Sequence, residues 1–302
     1  VEFYGSKDLK TWEMLSQFKM PNVLSNGGIQ WECPDVVRMS VNGKEQWLLI
    51  VSVNPGGHNG GSGTMYFVGD FDGKTFTVLN QDYPLWLDSG ADNYAGVTWS
   101  NTPDGSVKLI GWMSNWNYVG ASPVSPWRSA MTLPRELSLV EVDGKILLSV
   151  LPAPEVENIT GEWGEIGEGD YSGKLGGNVC SHLHIDITTL ANGTITLGND
   201  CGECLEIQIN KGARMMLVAR NSKTGRTDFH GNFAIPAVKS TLHAGDALSL
   251  DIFIDQSSVE IFSADGTVSQ TNLVYPRKAY HTVSLNGMSA TMKVRPLKSV
   301  WE

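Results

Sequence analysis

Short apolar runs separated by tight-turn dipeptides limit this chain to a small set of folds. Gln46–Val53, Met65–Gly69, Val107–Trp112 and Lys145–Val150 are rich in β-branched and aromatic residues, as strands are. Asn42-Gly43, Asp72-Gly73, Asp104-Gly105 and Asp143-Gly144 punctuate them. These are the residue types that accept positive φ in short hairpins. No long stretch carries the 3.6-residue apolar period of a helix. The chain therefore reads as all-β, and a sandwich, a barrel or a propeller can each be built from such strands. The loose recurrence of aromatic-rich pieces up to about position 150 favours propeller blades.

At 302 residues the chain exceeds the size at which one core usually stops growing, so two domains are expected. Leu151-Pro152-Ala153-Pro154 marks the junction, because prolines interrupt a ladder and favour an extended linker. The predicted units are residues 1–152 and 153–302. Beyond the junction, runs such as Thr194–Leu197, Leu205–Ile209, Leu248–Ile254 and Ser258–Phe262 alternate apolar and polar residues, the pattern of a β-sandwich. Phe262-Ser263-Ala264-Asp265-Gly266 is its expected late hairpin.

The formal net charge of −10 argues against nucleic acid or an anionic membrane as partner, since both require basic patches. No apolar run approaches the roughly 20 residues of a membrane span. A neutral, polar ligand suits this surface better. Most of the ten tryptophans are expected in the core, yet an indole face also stacks well on the apolar face of a sugar ring. The four cysteines include one C-x-x-C pair, Cys201 and Cys204. A zinc site would need two further ligands, for which His182 and His184 are candidates on paper only. No metal or cofactor is expected.

The stretch Trp31-Glu32-Cys33-Pro34-Asp35 sets one carboxylic acid among an indole, a thiol and an imide. A carboxyl group against weakly polar neighbours ionises reluctantly, which suits a general acid. Pro34 is expected to bias Cys33 toward an extended conformation and to hold Glu32 in one direction at a strand start. A surface Glu beside a turn proline is the simpler alternative.

The segment does not stand alone. Downstream follow Asp88-Ser89-Gly90-Ala91-Asp92-Asn93-Tyr94-Ala95, Ile110-Gly111-Trp112-Met113-Ser114-Asn115-Trp116 and Met131-Thr132-Leu133-Pro134-Arg135-Glu136-Leu137, with Asp8-Leu9-Lys10-Thr11-Trp12 before them. The glycine-rich loop from Asn54 to Gly63 and the tail from Asp255 to Phe262 complete the set. Together they resemble glycoside hydrolase family 32, the β-fructosidases that include levanases, exo-inulinases and invertases. The resemblance implies a five-bladed β-propeller followed by a C-terminal lectin-like β-sandwich. It also implies release of fructose from levan, inulin or sucrose by a retaining mechanism, without metal or cofactor.

In the family, Glu32 would be the acid/base and an Asp in an Asn-Asp-Pro motif the nucleophile. A further Asp in an Arg-Asp-Pro motif would bind fructose. Neither tripeptide occurs in these 302 residues. The expectation is therefore a propeller whose N-terminal part is missing, partnered by that segment or by a complementary chain, and inactive alone. Asp35, Asp70 and Asp72 are not expected to replace the nucleophile: Asp35 points away by strand alternation, and the other two lie in a hairpin.

The resemblance further places Asp88, Asp92 and Tyr94 at the pocket mouth against sugar hydroxyls, with a polar turn as their alternative role. It groups Cys33 with the substrate-binding residues, a small buried apolar role being the alternative. Trp116 is the expected wall for a fructose ring, and Trp112 the expected packing residue. The competing function is a fructan-binding protein without a nucleophile, and an arabinan-active propeller enzyme is a further rival. Substrate size favours a secreted or periplasmic protein.

Overall fold

The computed structural model describes residues 1–20, 23, 28–243 and 245–300. Its regular elements are antiparallel strands and three short 3-10 turns, Val119–Ala121, Pro154–Ile159 and Ser172–Leu175. After a two-stranded ribbon, Glu2–Gly5 with Glu13–Gln17, come two up-and-down sheets. The first orders Gln30–Val41, Lys44–Asn54, Gly63–Phe71 and Phe76–Val78, with Leu85–Trp86 also on Gly63–Phe71. In the second, Val107–Met113 lies between Ala130–Met131 and Arg135–Val142, with Lys145–Pro152 outermost and Tyr94–Thr98 also pairing Val107–Met113.

Local sequence accounts for the tightest connections. Asn42 and Gly43 have φ of 51° and 74°, and Asp143 and Gly144 have 52° and 74°. Two consecutive positive φ values define the hairpin turn whose twist matches its strands. The run Leu48-Leu49-Ile50-Val51 has no exposed residue because its sheet is covered on both faces. Leu48 and Ile50 pack with Leu109, Leu137 and Leu148 of the second sheet. Leu49 and Val51 pack with Phe18, Phe67 and Phe76 on the other side.

The junction differs from the extended linker read from its prolines. Pro152 still stands opposite Arg135 as the last residue of its strand. Pro154 then opens a 3-10 turn, since its fixed φ and missing N–H suit the first position of a helical turn. Beyond it, two six-stranded sheets face each other. One orders Gly164–Ile166, Thr291–Pro296, Ser181–Ile187, Leu248–Ile254, Ser258–Ser263 and Ser269–Leu273. The other orders Gly169–Asp170, Thr282–Asn286, Gly193–Gly198, Cys204–Asn210, Met215–Arg220 and Ile235–Thr241. Leu183, Ile185, Leu250 and Ile252 from one sheet meet Ile195, Leu197, Ile207 and Val218 from the other in one core.

The sandwich is docked firmly on the preceding sheets. Phe253 and Phe262 enter the core shared by the first two sheets. The segment Asp88–Asp92 runs along Ser269–Leu273: Ser89 N–H donates to Ser269 O at 2.8 Å, and Ala91 N–H to Thr271 O at 3.1 Å. A side chain at Gly90 would collide with the backbone of Thr271, so only glycine permits this approach.

Candidate active site

Glu32 lies in the strand Gln30–Val41, opposite Ser52, and the register slips by one residue between Glu32 and Asp35. Cys33 has φ of 47° there. The extended Cys33 expected from the following proline is thus replaced by a β-bulge, which accommodates a residue without an N–H and re-aims its neighbours. Glu32 is also not enclosed by the residues beside it in sequence. It is exposed, as are Cys33 and Pro34, while Trp31 stacks on Phe67 in the core at 5.6 Å between ring centroids. Alternation places the indole and the carboxylate on opposite faces.

A second bulge faces the first. The strand Tyr94–Thr98 slips against Val107–Met113 between Tyr94 and Val97, and Ala95 has φ of 51°. The Tyr94 hydroxyl donates to the Glu32 carboxylate. Ala95 N–H donates to Ser52 Oγ at 3.1 Å, so Ser52 ties the second bulge to the strand that pairs with the first. Asp35 does not point elsewhere, as strict alternation predicts. The bulge resets the alternation, and Asp35 Oδ2 accepts from the Thr98 hydroxyl at 2.6 Å and from Thr98 N–H at 3.1 Å. Glu32 and Asp35 therefore engage opposite ends of one short strand.

Burial and the bond to Glu32 push the Tyr94 phenol well above its ordinary value, so it remains a donor at neutral pH. Burial, and then the neighbouring Glu32 charge, raise the Cys33 thiol as well. Cys33 is thus a protonated neighbour rather than a thiolate nucleophile.

Two indoles extend the site. Trp112 stands opposite Tyr94, with ring centroids 6.3 Å apart, and Trp116 meets Trp112 at 5.1 Å. Trp116 is 59% exposed. Trp112 is half-buried and donates its Nε1–H to Ser129 Oγ at 2.7 Å, so it belongs to the aromatic wall as well as to the packing beneath it. The glycine-rich loop supports that wall. Trp116 N–H donates to Ser62 Oγ at 3.0 Å, and Asn115 Nδ2 reaches Gly60 O at 3.2 Å and Ala91 O at 2.9 Å.

Asp88 and Asp92, expected at a pocket mouth, lie in buried ion pairs instead. Asp88 Oδ2 accepts from Arg135 Nη1 at 2.7 Å, and Arg135 Nη2 donates to Glu260 at 2.8 Å. Asp92 Oδ2 accepts from Arg220 Nη1 at 2.5 Å. These side chains are at most 5% exposed, so the carboxylates face arginines rather than solvent, and both leave the substrate-binding set proposed below. Burial works against ionisation of Asp88, but Arg135 and Thr271 outweigh it and hold its carboxyl below the usual range. For Glu260 burial prevails over Arg135 and raises the carboxyl. The two differ because Asp88 also accepts from Thr271 N–H, the Thr271 hydroxyl and Gly90 N–H, whereas Glu260 has Leu133 N–H as its further partner.

The C-x-x-C pair and the paired histidines do not converge, for Cys204 and His182 lie in different sheets of the sandwich. All four cysteines are free.

Residues 1–150 match the glycosyl hydrolases family 32 N-terminal domain, and residues 167–301 match the glycosyl hydrolases family 32 C terminal domain. The chain belongs to glycoside hydrolase family 32. Among its family 32 relatives, a levanase of Bacillus subtilis is 33% identical over 100% of this chain and 47% of the levanase. An extracellular exo-inulinase of Aspergillus niger is 32% identical over 98% of this chain and 58% of the inulinase. The chain thus spans about half the length of the curated relatives it matches. The crystal structure of an exo-inulinase from Aspergillus awamori superposes with a TM-score of 0.83 at 26% identity, covering 99% of this chain and 62% of that one. A β-fructofuranosidase of Schwanniomyces occidentalis, 21% identical, has the same fold with a TM-score of 0.80. The family 32 fold is the propeller followed by a β-sandwich, and the sheets described above are its elements.

Proposed function

We propose that this chain is part of a β-fructosidase that releases fructose from levan, inulin or sucrose, with Glu32 as acid/base of a retaining mechanism. The observation that carries the reading is the Tyr94 hydroxyl bonded to an exposed Glu32, with the Tyr94 ring meeting Trp112 and Trp112 meeting Trp116. One Glu32 oxygen accepts from Tyr94 while the other is free to protonate the leaving glycosidic oxygen. Tyr94 then stabilises the carboxylate left behind. Trp116 offers its face to the sugar ring. After departure of the leaving group, Glu32 recovers its proton from the water that releases fructose.

A retaining displacement also needs a nucleophilic carboxylate on the other side of the sugar. Asp35 is engaged on Thr98, and no Asn-Asp-Pro motif occurs in the 302 residues. In this reading the nucleophile is supplied by a further propeller segment or by a complementary chain. Exposed Val97, Trp99, Trp127 and Met131, on and beside the sheet that carries Tyr94, support such a partner. The relatives named extracellular and the size of fructans support secretion. Among the described residues no helix is long and apolar enough to cross a membrane.

The test is sugar release from levan, inulin, sucrose and arabinan by the protein carrying this chain, with Glu32→Gln beside it. Fructose is the expected product, and the substitution is expected to lower kcat by about 10²- to 10⁴-fold, less on substrates with good leaving groups. Arabinose release would transfer the reading to another propeller glycosidase. Fructan binding without turnover would make the protein a binding module.

A further inference from the structure

We infer that Arg220, in the sandwich, is a positioning residue for the catalytic face, a step that rests on the functional reading above. Arg220 is fully buried at the end of the strand Met215–Arg220. Its Nη1 donates to Asp92 Oδ2 at 2.5 Å and to Leu273 O at 3.2 Å, and its Nε donates to Phe233 O at 2.8 Å. Its Nη2 donates to the Tyr118 hydroxyl at 2.9 Å, and that hydroxyl in turn donates to Asp92. The guanidinium lies 4.1 Å from the Phe233 ring centroid.

The sequence positions of these partners give the network its meaning. Asp92 precedes Tyr94 by two residues, and Tyr118 follows Trp116 by two. One sandwich side chain therefore grips both the segment that presents Tyr94 to Glu32 and the segment that carries Trp116. Asp92 is fixed further by Leu273 N–H at 2.8 Å, and Asn115 joins the two segments through Ala91 O. A buried ion pair is a weak source of net stability, because desolvation cancels much of its attraction. Its directional bonds, however, define one arrangement of the groups they join. Here that arrangement includes the direction of the Tyr94 hydroxyl and the stance of the Trp116 ring.

The experiment compares Arg220→Lys with Arg295→Lys in the protein carrying this chain. Arg295 is a buried sandwich arginine that grips Glu157 of the junction and has no bond to either segment. Arg220→Lys is expected to lower kcat by about 10- to 100-fold, since misplacing a reacting group by about 1 Å can have that effect. Arg295→Lys is expected to leave kcat unchanged. The Arg220→Lys loss should be smaller in a Tyr94→Phe background, and its effect on KM smaller in a Trp116→Ala background, as coupled residues require. Amide exchange should accelerate in peptides spanning 92–98 and 114–119 but not in the sandwich strand Gly193–Gly198.

Loss of melting temperature with unchanged kcat and evenly raised exchange would overturn the inference, as would full additivity in both double variants. If the unsubstituted protein releases no fructose, the functional reading fails. Localised exchange would then still support the clamp, and uniform exchange would still overturn it. Should Arg220→Lys not fold, Tyr118→Phe retains the ring packed at 5.1 Å on Phe233 and removes only the hydroxyl. The same local pattern is expected at smaller size, and its absence would overturn the inference.

Discussion

The Tyr94 hydroxyl donates to the Glu32 carboxylate across 62 positions of sequence, and each of the two residues immediately precedes one with positive φ. The contact therefore joins two β-bulges rather than two regular strands. In a regular ladder a side chain leaves perpendicular to its sheet, whereas a bulge turns it toward the sheet's edge or rim. Ser52 and the Asp35–Thr98 pair keep the bulged segments in register with each other. Glu32 is thereby directed by the geometry of two sheets, not by its immediate sequence neighbours.

Tyr94→Phe tests that relationship. The ring and its contact with Trp112 remain, and only the hydroxyl bond to Glu32 is lost. Removing one preorganised donor at an active site typically costs about 10²-fold or more in kcat; because Glu32 is exposed and water can replace the donor, about 10- to 100-fold is expected, with little change in KM. Steady-state kinetics on a natural fructan and on an activated fructoside measure it. Unchanged kcat on both would separate Tyr94 from the chemistry.

The two indoles should respond differently to truncation. Trp116→Ala removes an exposed ring and is expected to raise KM with little loss of melting temperature. Trp112 is only half-buried, so Trp112→Ala should cost about 2 kcal/mol, below the roughly 3–5 kcal/mol of a fully buried ring, and should also disturb KM through its contact with Trp116. Fructose affinity that moves for neither variant would remove both from the site.

The all-β class and the tightest hairpins were legible because they depend on local residue chemistry: Asn42-Gly43 and Asp143-Gly144 each accept two positive φ values. The surroundings of Glu32 were not legible, since Cys33 before Pro34 takes a φ of 47° in a β-bulge instead of extending the strand. The roles of Asp88 and Asp92 were not legible. A polar segment rich in Asp, Ser and Gly looks alike whether it lines a pocket or pairs with Arg135 and Arg220 from distant strands. Ser52 offered a signal that could have been used, as a polar residue within the apolar run Leu48–Val53. Arg220 offered none, because its partners lie 102 and 128 positions away.

The docking of the sandwich can be tested at Arg135. Arg135→Met is expected to leave the buried Asp88 and Glu260 carboxylates facing each other without a counter-charge, which costs about 3–5 kcal/mol. For a chain of this size that corresponds to a fall in melting temperature on the order of 10 °C. Calorimetry measures it, and a shift of only a degree or two would show that water or protonation readily replaces the guanidinium.

A pH dependence is expected from His182, which is buried and stacks on Phe253 with ring centroids 4.0 Å apart. Its Nδ1 faces Arg295, with Nε and Nη2 at 3.1 and 3.0 Å, and its Nε2 lies 2.7 Å from Asp251. Since Arg295 can only donate, Nδ1 must accept, and the ring is neutral with its proton on Nε2. His184 and Asp186 on the same strand, Glu157 from the junction, and Lys293 beside Arg295 complete its charged surroundings. Burial lowers the His182 pKa from 6.5; Asp251 opposes this, and Arg295 and His184 reinforce it. The unfolded chain therefore takes up this proton at higher pH than the folded one. The stability that neutral His182 contributes is present above about pH 6.5 and is lost as pH falls through the lower folded value. Asp251 and Glu157 are themselves held below their ordinary carboxylate values, so they titrate outside the window from pH 7 to 5. Melting temperatures across that window should fall more for the unsubstituted protein than for His182→Gln, whose amide can accept and donate but does not titrate. Parallel curves for the two proteins would show that His182 binds its proton equally well folded and unfolded.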